Sequence, residues 1–305
     1  MALVKVVRWL STAAIGLALV TGCSGGDPTH SGALSVVAST DVWGSVVSAV
    51  AGRHVTVKSI LSGANIDPHS YQVSPSDAAA ISDASLVVFN GGGYDSWVDD
   101  VLAKNPKIQP VCAFSFLPKA VDARSPNEHV FYDMNVAKSV ANAVADRLAV
   151  IDPANIADYR TNAAGFDRDA DAIAASEHSI AGTYPNTSVI ATEPVAYYLL
   201  QASGLTNRTP PAFSSANENG TDPSPADMAT VLDLISHRQV ALVLVNPQTS
   251  TPAINSMQDA ARRAGVPVTQ VTETLPKGTD YLTWQHNTVN QLVAALQSGR
   301  SNAGN

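Results

Sequence analysis

The sequence predicts an α/β protein of two doubly wound (βα) lobes with parallel sheets, joined by one long backbone helix. Three observations carry this. Apolar runs such as "LSVVAST" (34–40), "SLVVFNG" (85–91) and "VALVLVN" (240–246) are short and continuous rather than alternating, as parallel strands covered on both faces are. Segments of helical periodicity separate these runs. Between the two halves, Ile156, Tyr159, Ala163, Phe166, Ala170, Ile173, Glu177 and Ile180 follow a three-four spacing that puts them on one helical stripe.

The first residues stand apart from the fold. Lys5 and Arg8 flank an apolar run over 9–20, about a dozen residues and too short to span a bilayer. It ends in Val20-Thr21-Gly22-Cys23. Small residues before a cysteine form the lipobox at which a bacterial lipoprotein is cut and lipidated. The expectation is a signal peptide over 1–22, lipidation of Cys23, and a flexible Gly/Ser/Pro tether over 23–33. An ordinary signal peptide with an incidental cysteine is the alternative. The chain is expected to be exported and anchored by lipid at the outer face of the cell membrane.

The first lobe is expected over 34–152. Strand 34–40 leads to a helix over 41–52 that Gly52 stops, and strand 55–61 follows. A loop through His69 then enters a helix at Ser74-Pro75-Ser76-Asp77. Ser74 caps the free amides, Pro75 suits the first helical position, and Asp77 complements the positive helix end. Strand 85–91, a helix over 94–104, a fourth strand in "NPKIQPVCAF" and a helix over 135–153 complete it. The linker helix over 153–182 is roughly 45 Å long at about 1.5 Å per residue.

The second lobe is expected over 183–300, with residues 301–305 as a disordered tail. It begins with strand 187–193 and a helix over 194–204. Helix 224–238, strand 240–246, helix 251–265, strand 266–273 and a last helix near 280–297 follow.

Composition narrows the function. The 305 residues carry a formal charge of −8 and only 14% charged side chains, so no basic patch offers itself to nucleic acid. A modestly acidic surface suits a cationic ligand. The two cysteines are Cys23 and Cys112. With Cys23 lipidated, no disulfide forms within the chain, and Cys112 in "QPVCAFSFL" reads as a packing residue.

Ligands of open α/β sheets bind beyond the carboxyl ends of strands. Of the seven histidines, His30, His54, His178, His237 and His286 lie elsewhere, while His69 and His129 occupy loops that run into helices. Either alone is more often a hydrogen-bonded histidine than a ligand. Two carboxylates share their placement: Glu193 ends strand 187–193 before Pro194, and Glu273 ends strand 266–273 before Leu275-Pro276. An acid at a helix N-terminus, or a solvated loop acid, explains either one without a metal. Together, two imidazoles and two carboxylates in facing lobes would compose a closed cation site in the cleft, beside the metal-free explanation of each.

Nearly all of the mature sequence resembles the zinc/manganese-type metal-binding solute-binding lipoproteins of ABC importers. The resemblance lies in the lipobox, in "DPHSYQVSPSDAAAISDASLVVFNGGGYDSWV", in the helix after "EHVFYDMNVA", in the long linker helix, and in "ATEPVAYYLLQASGL" followed by "TDPSPADMATVLDLI". It implies metal ligands at His69, His129, Glu193 and Glu273, with Asp280 a rival for the fourth position. It also implies an importer permease and its ATPase as partners, a transported Mn2+ or Zn2+, no organic cofactor, and a monomer that is not an enzyme. The family's second loop usually reads "PHxWLDP"; here "EHVFYDM" keeps the histidine and Asp133 but lacks both prolines and the tryptophan. The His-rich acidic loop of some zinc members is missing.

An exported metal-dependent hydrolase is the rival class, but no H-x-H or H-E-x-x-H cluster supplies its ligands and base. A sugar or peptide binder would want stacked aromatics, which make up only 6% of the chain. An added adhesion role at the surface leaves no trace in the sequence. Two histidines and two carboxylates without thiolate suit zinc and harder ions alike. In the family it resembles, glutamate at the third position accompanies manganese or iron more than zinc, and the missing His-rich loop leans the same way, so the resemblance points slightly toward manganese.

Overall fold

The computed structural model describes residues 34–63, 68–118 and 126–303. The expected signal peptide, the lipidation site Cys23 and the tether lie outside the described residues.

Two four-stranded sheets form the frame. The first takes β1 (Ser35–Thr40), β2 (Thr56–Leu61), β3 (Leu86–Phe89) and β4 (Val111–Cys112) in the order β2-β1-β3-β4. The second takes β5 (Ser188–Ala191), β6 (Thr206–Asn207), β7 (Val243–Val245) and β8 (Val268–Gln270) in the order β6-β5-β7-β8. Every pairing is parallel. In both sheets the order reverses beside the first strand, which opens a crevice at the carboxyl ends of the central strands.

The helices start where the sequence provides caps. Thr40 caps α1 (Asp41–Ala51), and Ser74 accepts from Asp77 N at 3.2 Å to start α2 (Pro75–Ser82). The same Ser-Pro-x-Asp device opens α8 (Pro225–Ser236) from Ser224. Thr251 caps α9 (Pro252–Ala264), which ends on Gly265 at φ 68°, a left-handed position that glycine fills without strain. The other N-terminal helices are α3 (Ser96–Leu102) and α4 (Met134–Ile151).

The linker is α5 (Ile156–Thr183), entered through a 3-10 turn at Pro153–Asn155. Its predicted stripe is buried from Tyr159 to Ile180, and Ile156 is half-buried. This helix packs against α1, α4 and α10 (Tyr281–Ala303). One apolar cluster therefore runs without a break from Val36, Trp43 and Val140 through Phe166 and Ile173 to Leu244 and Trp284. Smaller clusters cover the outer face of each sheet. The lobes share one interior, which the stripe on α5 alone did not reveal.

Several elements differ from expectation. Residues 194–204 form a 3-10 turn, Pro194–Ala196, and then α6 (Tyr197–Ala202). Strand β8 stops at Gln270, so Glu273 sits beyond the strand rather than on its last residue. The last helix reaches Ala303, into the stretch expected as a tail. A helix that the sequence reading lacks, α7 (Pro211–Glu218), follows β6. "PPAFSSANE" looks like loop because of its paired prolines and small polar residues, yet Pro211 at the first helical position favours a helix. Cys112 is half-buried in β4, where burial raises its thiol.

Candidate metal centre

Four loops at strand carboxyl ends converge. His69 lies in a 3-10 turn, Pro68–Ser70, after β2; His129 precedes a 3-10 turn, Val130–Tyr132. Glu193 follows β5 and Glu273 follows β8.

The His129 ring is fully buried. Its Nδ1 lies 3.1 Å from Asn127 Oδ1, an acceptor, so Nδ1 carries the proton. In the neutral ring that tautomer leaves Nε2 free to offer its lone pair to a cation, and Nε2 has no hydrogen-bond partner. Asn127 is itself tied across the cleft, donating to Pro194 O at 3.2 Å while its carbonyl accepts from Tyr198 OH at 2.7 Å.

Glu273 is 1% exposed, and its Oε2 also lacks a hydrogen-bond partner. That oxygen is 3.5 Å from His129 Nε2 and 3.3 Å from His69 Nε2. Such spacings are long for hydrogen bonds. They match the roughly 3.4 Å edge of a tetrahedron of N and O ligands about 2.1 Å from a central ion. Burial alone would raise the Glu273 carboxyl, but the two imidazoles outweigh it and hold the group down at about 2. Glu273 is thus ionised and aimed at the two rings.

Glu193 is placed one step away. Its Oε2 accepts from Asn246 Nδ2 at 2.9 Å, and its Oε1 takes a short hydrogen bond from the Thr249 hydroxyl. The same Asn246 Nδ2 donates to Glu273 Oε1 at 2.8 Å. One amide group thereby holds two buried carboxylates side by side. Burial pushes the Glu193 carboxyl up to about 7, against the pull of Thr249 and Asn246 and with the help of the Glu273 charge.

Two further carboxylates, which the sequence reading did not select, approach the rings from the more open side. Glu128 Oε1 is 3.5 Å from His69 Nδ1, and Glu218 Oε1 is 3.9 Å from His129 Nε2. Ligand atoms of His69, Glu128, His129 and Glu218 all lie within 4.8 Å of one another. That quartet omits Glu193 and Glu273, although Glu273 is nearer to both rings than Glu218 is to one. Of the four acids, Glu273 is the one that is both buried and left without a hydrogen-bond partner on a carboxylate oxygen near the rings. Adjacency to His129 was the one sequence signal for Glu128; Glu218 was hidden because α7 was not recognised.

Asp280, the rival for the fourth position, acts as a helix cap. Its exposed carboxylate accepts from Thr283 N at 2.8 Å and from the Thr283 hydroxyl at 2.9 Å, at the start of α10. Among the remaining histidines, His54 pairs with Asp158 on α5 at 2.8 Å and His237 with Asp233 on its own helix.

A polar scaffold fixes the loops. Asp95 accepts from the amides of Asn90 and Gly91, both at 2.7 Å. Asn90 in turn accepts from Trp43 Nε1 at 3.2 Å and donates to Glu128 O at 2.8 Å. Asp41 bonds Gly63 N at 2.9 Å and Leu275 N at 3.1 Å, joining the segments that follow β2 and β8. Tyr132 OH donates to Thr272 O at 2.9 Å. Loops from both lobes are thus positioned by bonds that cross between them.

Residues 36–295 match the family described as zinc-uptake complex component A, periplasmic. The manganese-binding lipoprotein MntA of Bacillus subtilis is 24% identical over 261 residues, covering 82% of this chain and 83% of that protein. The zinc-binding protein TroA of Treponema pallidum is 22% identical, covering 78% of each chain. Among solved structures, the periplasmic zinc-binding protein TroA of T. pallidum superimposes with a TM-score of 0.73 at 19% identity, over 87% of this chain and 99% of that one. FpvC of Pseudomonas aeruginosa in complex with Mn2+ gives 0.71 at 22% identity, over 87% and 98%. At these identities the structural likeness speaks for the fold.

Proposed function

The chain belongs to the periplasmic zinc-uptake component A family, and from that premise we propose that it captures a divalent transition metal, manganese or zinc, outside the cytoplasm. It delivers the ion to the permease of an ABC importer and its ATPase. The metal is cargo, no organic cofactor takes part, and the chain is not an enzyme.

One observation supports this reading above the rest. His129 Nε2 and Glu273 Oε2 are buried, face each other, and have no hydrogen-bond partner. Burying such groups without partners is costly. A cation between them would satisfy both, with His69 Nε2 as a third ligand.

We assign Glu193 as the fourth ligand. Each carboxylate oxygen has two lone pairs, so Glu193 can hold the ion while keeping Asn246 and Thr249. Two neutral imidazoles and two carboxylates neutralise one divalent ion. The set suits zinc and manganese alike, and relatives named for each metal occur; the lean stays slightly toward manganese. We further assign Cys23 as the lipid anchor, residues 34–152 and 183–300 as the two lobes, and a single chain as the working unit.

The test is equilibrium titration of the metal-free chain with Mn2+ and Zn2+. One ion per chain is expected, with binding weakened by at least roughly a hundredfold, about 2.8 kcal/mol, in His129→Ala. Unchanged affinity in that variant would overturn the assignment.

A further inference from the structure

Four carboxylates surround two imidazoles, yet one divalent ion needs only two of them for neutrality. The four fall into two tiers. Glu193 and Glu273 are 3% and 1% exposed, whereas the Glu218 and Glu128 side chains are 21% and 27% exposed. The imidazoles lie between the tiers. His69 presents Nε2 to Glu273 and Nδ1 to Glu128. The unpartnered Nε2 of His129 lies 3.5 Å from inner Glu273 and 3.9 Å from outer Glu218.

We propose that Glu128 and Glu218 form an outer metal site that receives the incoming hydrated divalent cation and passes it, through His69 and His129, to Glu193 and Glu273. This rests on the metal-capture reading and adds a route to it.

The outer acids are built into the fold. Glu218 ends α7, and its neighbour Asn217 is fully buried and donates to Thr192 O at 3.0 Å, next to Glu193. Glu128 has its backbone carbonyl held by Asn90 and directly precedes His129. Glu273 and the two outer acids approach the same two imidazoles, so an ion held by the inner pair excludes an ion on the outer one. The ion moves between them, and the stoichiometry stays at one per chain.

The tiers divide the labour by exposure. Half-exposed carboxylates at the mouth of a cleft focus the field on an approaching cation and can exchange its water for oxygen ligands while solvent is still at hand. The inner pair then replaces the remaining water with buried, oriented donors. Outer acids therefore govern the rate of capture, and inner acids the rate of escape.

The experiment is stopped-flow transfer of Mn2+ from a chromogenic chelator to the full chain at low salt. It compares wild type, Glu128→Gln, Glu218→Gln and Glu273→Gln, with circular dichroism melts to confirm folding. Losing an outer charge should slow association by roughly tenfold, leave dissociation close to wild type, and flatten the salt dependence of association. Glu273→Gln should chiefly speed dissociation. Wild-type association rates in both outer variants would overturn the proposal. So would faster dissociation at an unchanged association rate, which would make Glu218 a resident ligand or Glu128 a prop for His69. A wild type that took up no metal would sink the metal-capture reading itself, a result distinct from either.

Discussion

His129 Nε2 and Glu273 Oε2 face each other 3.5 Å apart, both buried and both without a hydrogen-bond partner. They come from loops on opposite sides of the linker helix, so folding alone brings them together. No hydrogen bond of normal geometry satisfies either atom. That pairing is the observation on which the proposed metal site rests.

Glu273→Gln should therefore abolish tight binding while leaving the chain folded. Glutamine keeps the volume and can still accept from Asn246, but it removes the charge that the imidazoles hold ionised. Affinity for Mn2+ and Zn2+ should fall by more than roughly a hundredfold. Titration calorimetry measures it, and wild-type affinity would exclude Glu273 as a ligand.

As the proposed fourth ligand, Glu193 should set the balance between metals. Glu193→His would give three nitrogens and one carboxylate, a set that favours zinc over manganese. Competitive titration should show the preference moving toward zinc in that variant and both metals weakened in Glu193→Ala. Unaltered affinities in Glu193→Ala would leave Glu193 as a bystander held by Asn246 and Thr249.

Asn246 touches no ion in this account, yet its single amide donates to both inner carboxylates. Asn246→Ala should weaken binding by roughly ten- to a hundredfold, the usual effect of losing a group that orients metal ligands. Thermal melts of the metal-free variant should also show a loss of stability, because two buried oxygens lose their donor.

Glu177 offers a test of the linker helix apart from the metal. It is 1% exposed, its Oε1 has no partner, and burial, with repulsion from Asp133, pushes its carboxyl up to about 8. The folded state binds this proton more tightly than the unfolded chain, whose ordinary value is 4.5. The stability it contributes is full below that value and is lost as pH rises through about 8. Glu177→Gln should remove this loss, so its melting-temperature advantage over wild type should grow by a few degrees from about pH 5 to pH 8.5. A constant difference across that range would show that Glu177 ionises freely.

The fold was legible where burial dictates composition. Continuous apolar runs marked both parallel sheets, and the three-four stripe marked α5 almost residue for residue. A stripe shows that a helix is covered but not what covers it. The single interior shared through Trp43, Phe166 and Trp284 therefore emerged only in three dimensions. Strand ends pointed to His69, His129, Glu193 and Glu273, because sheet topology tells where a loop residue must lie. Glu218 escaped because α7 is only eight residues long, buries one large apolar side chain, Phe213, and opens on two prolines. Asp280 stood in sequence as a rival to Glu273. A helix start just downstream claims its carboxylate instead.

Anomalous diffraction from crystals of the full chain grown with Mn2+, collected above and below the manganese edge, tests the central claim most directly. The account predicts one manganese peak per chain within bonding distance of His69, His129, Glu193 and Glu273. A chain without a peak between His129 Nε2 and Glu273 Oε2, or with its ion held by other residues, would contradict it.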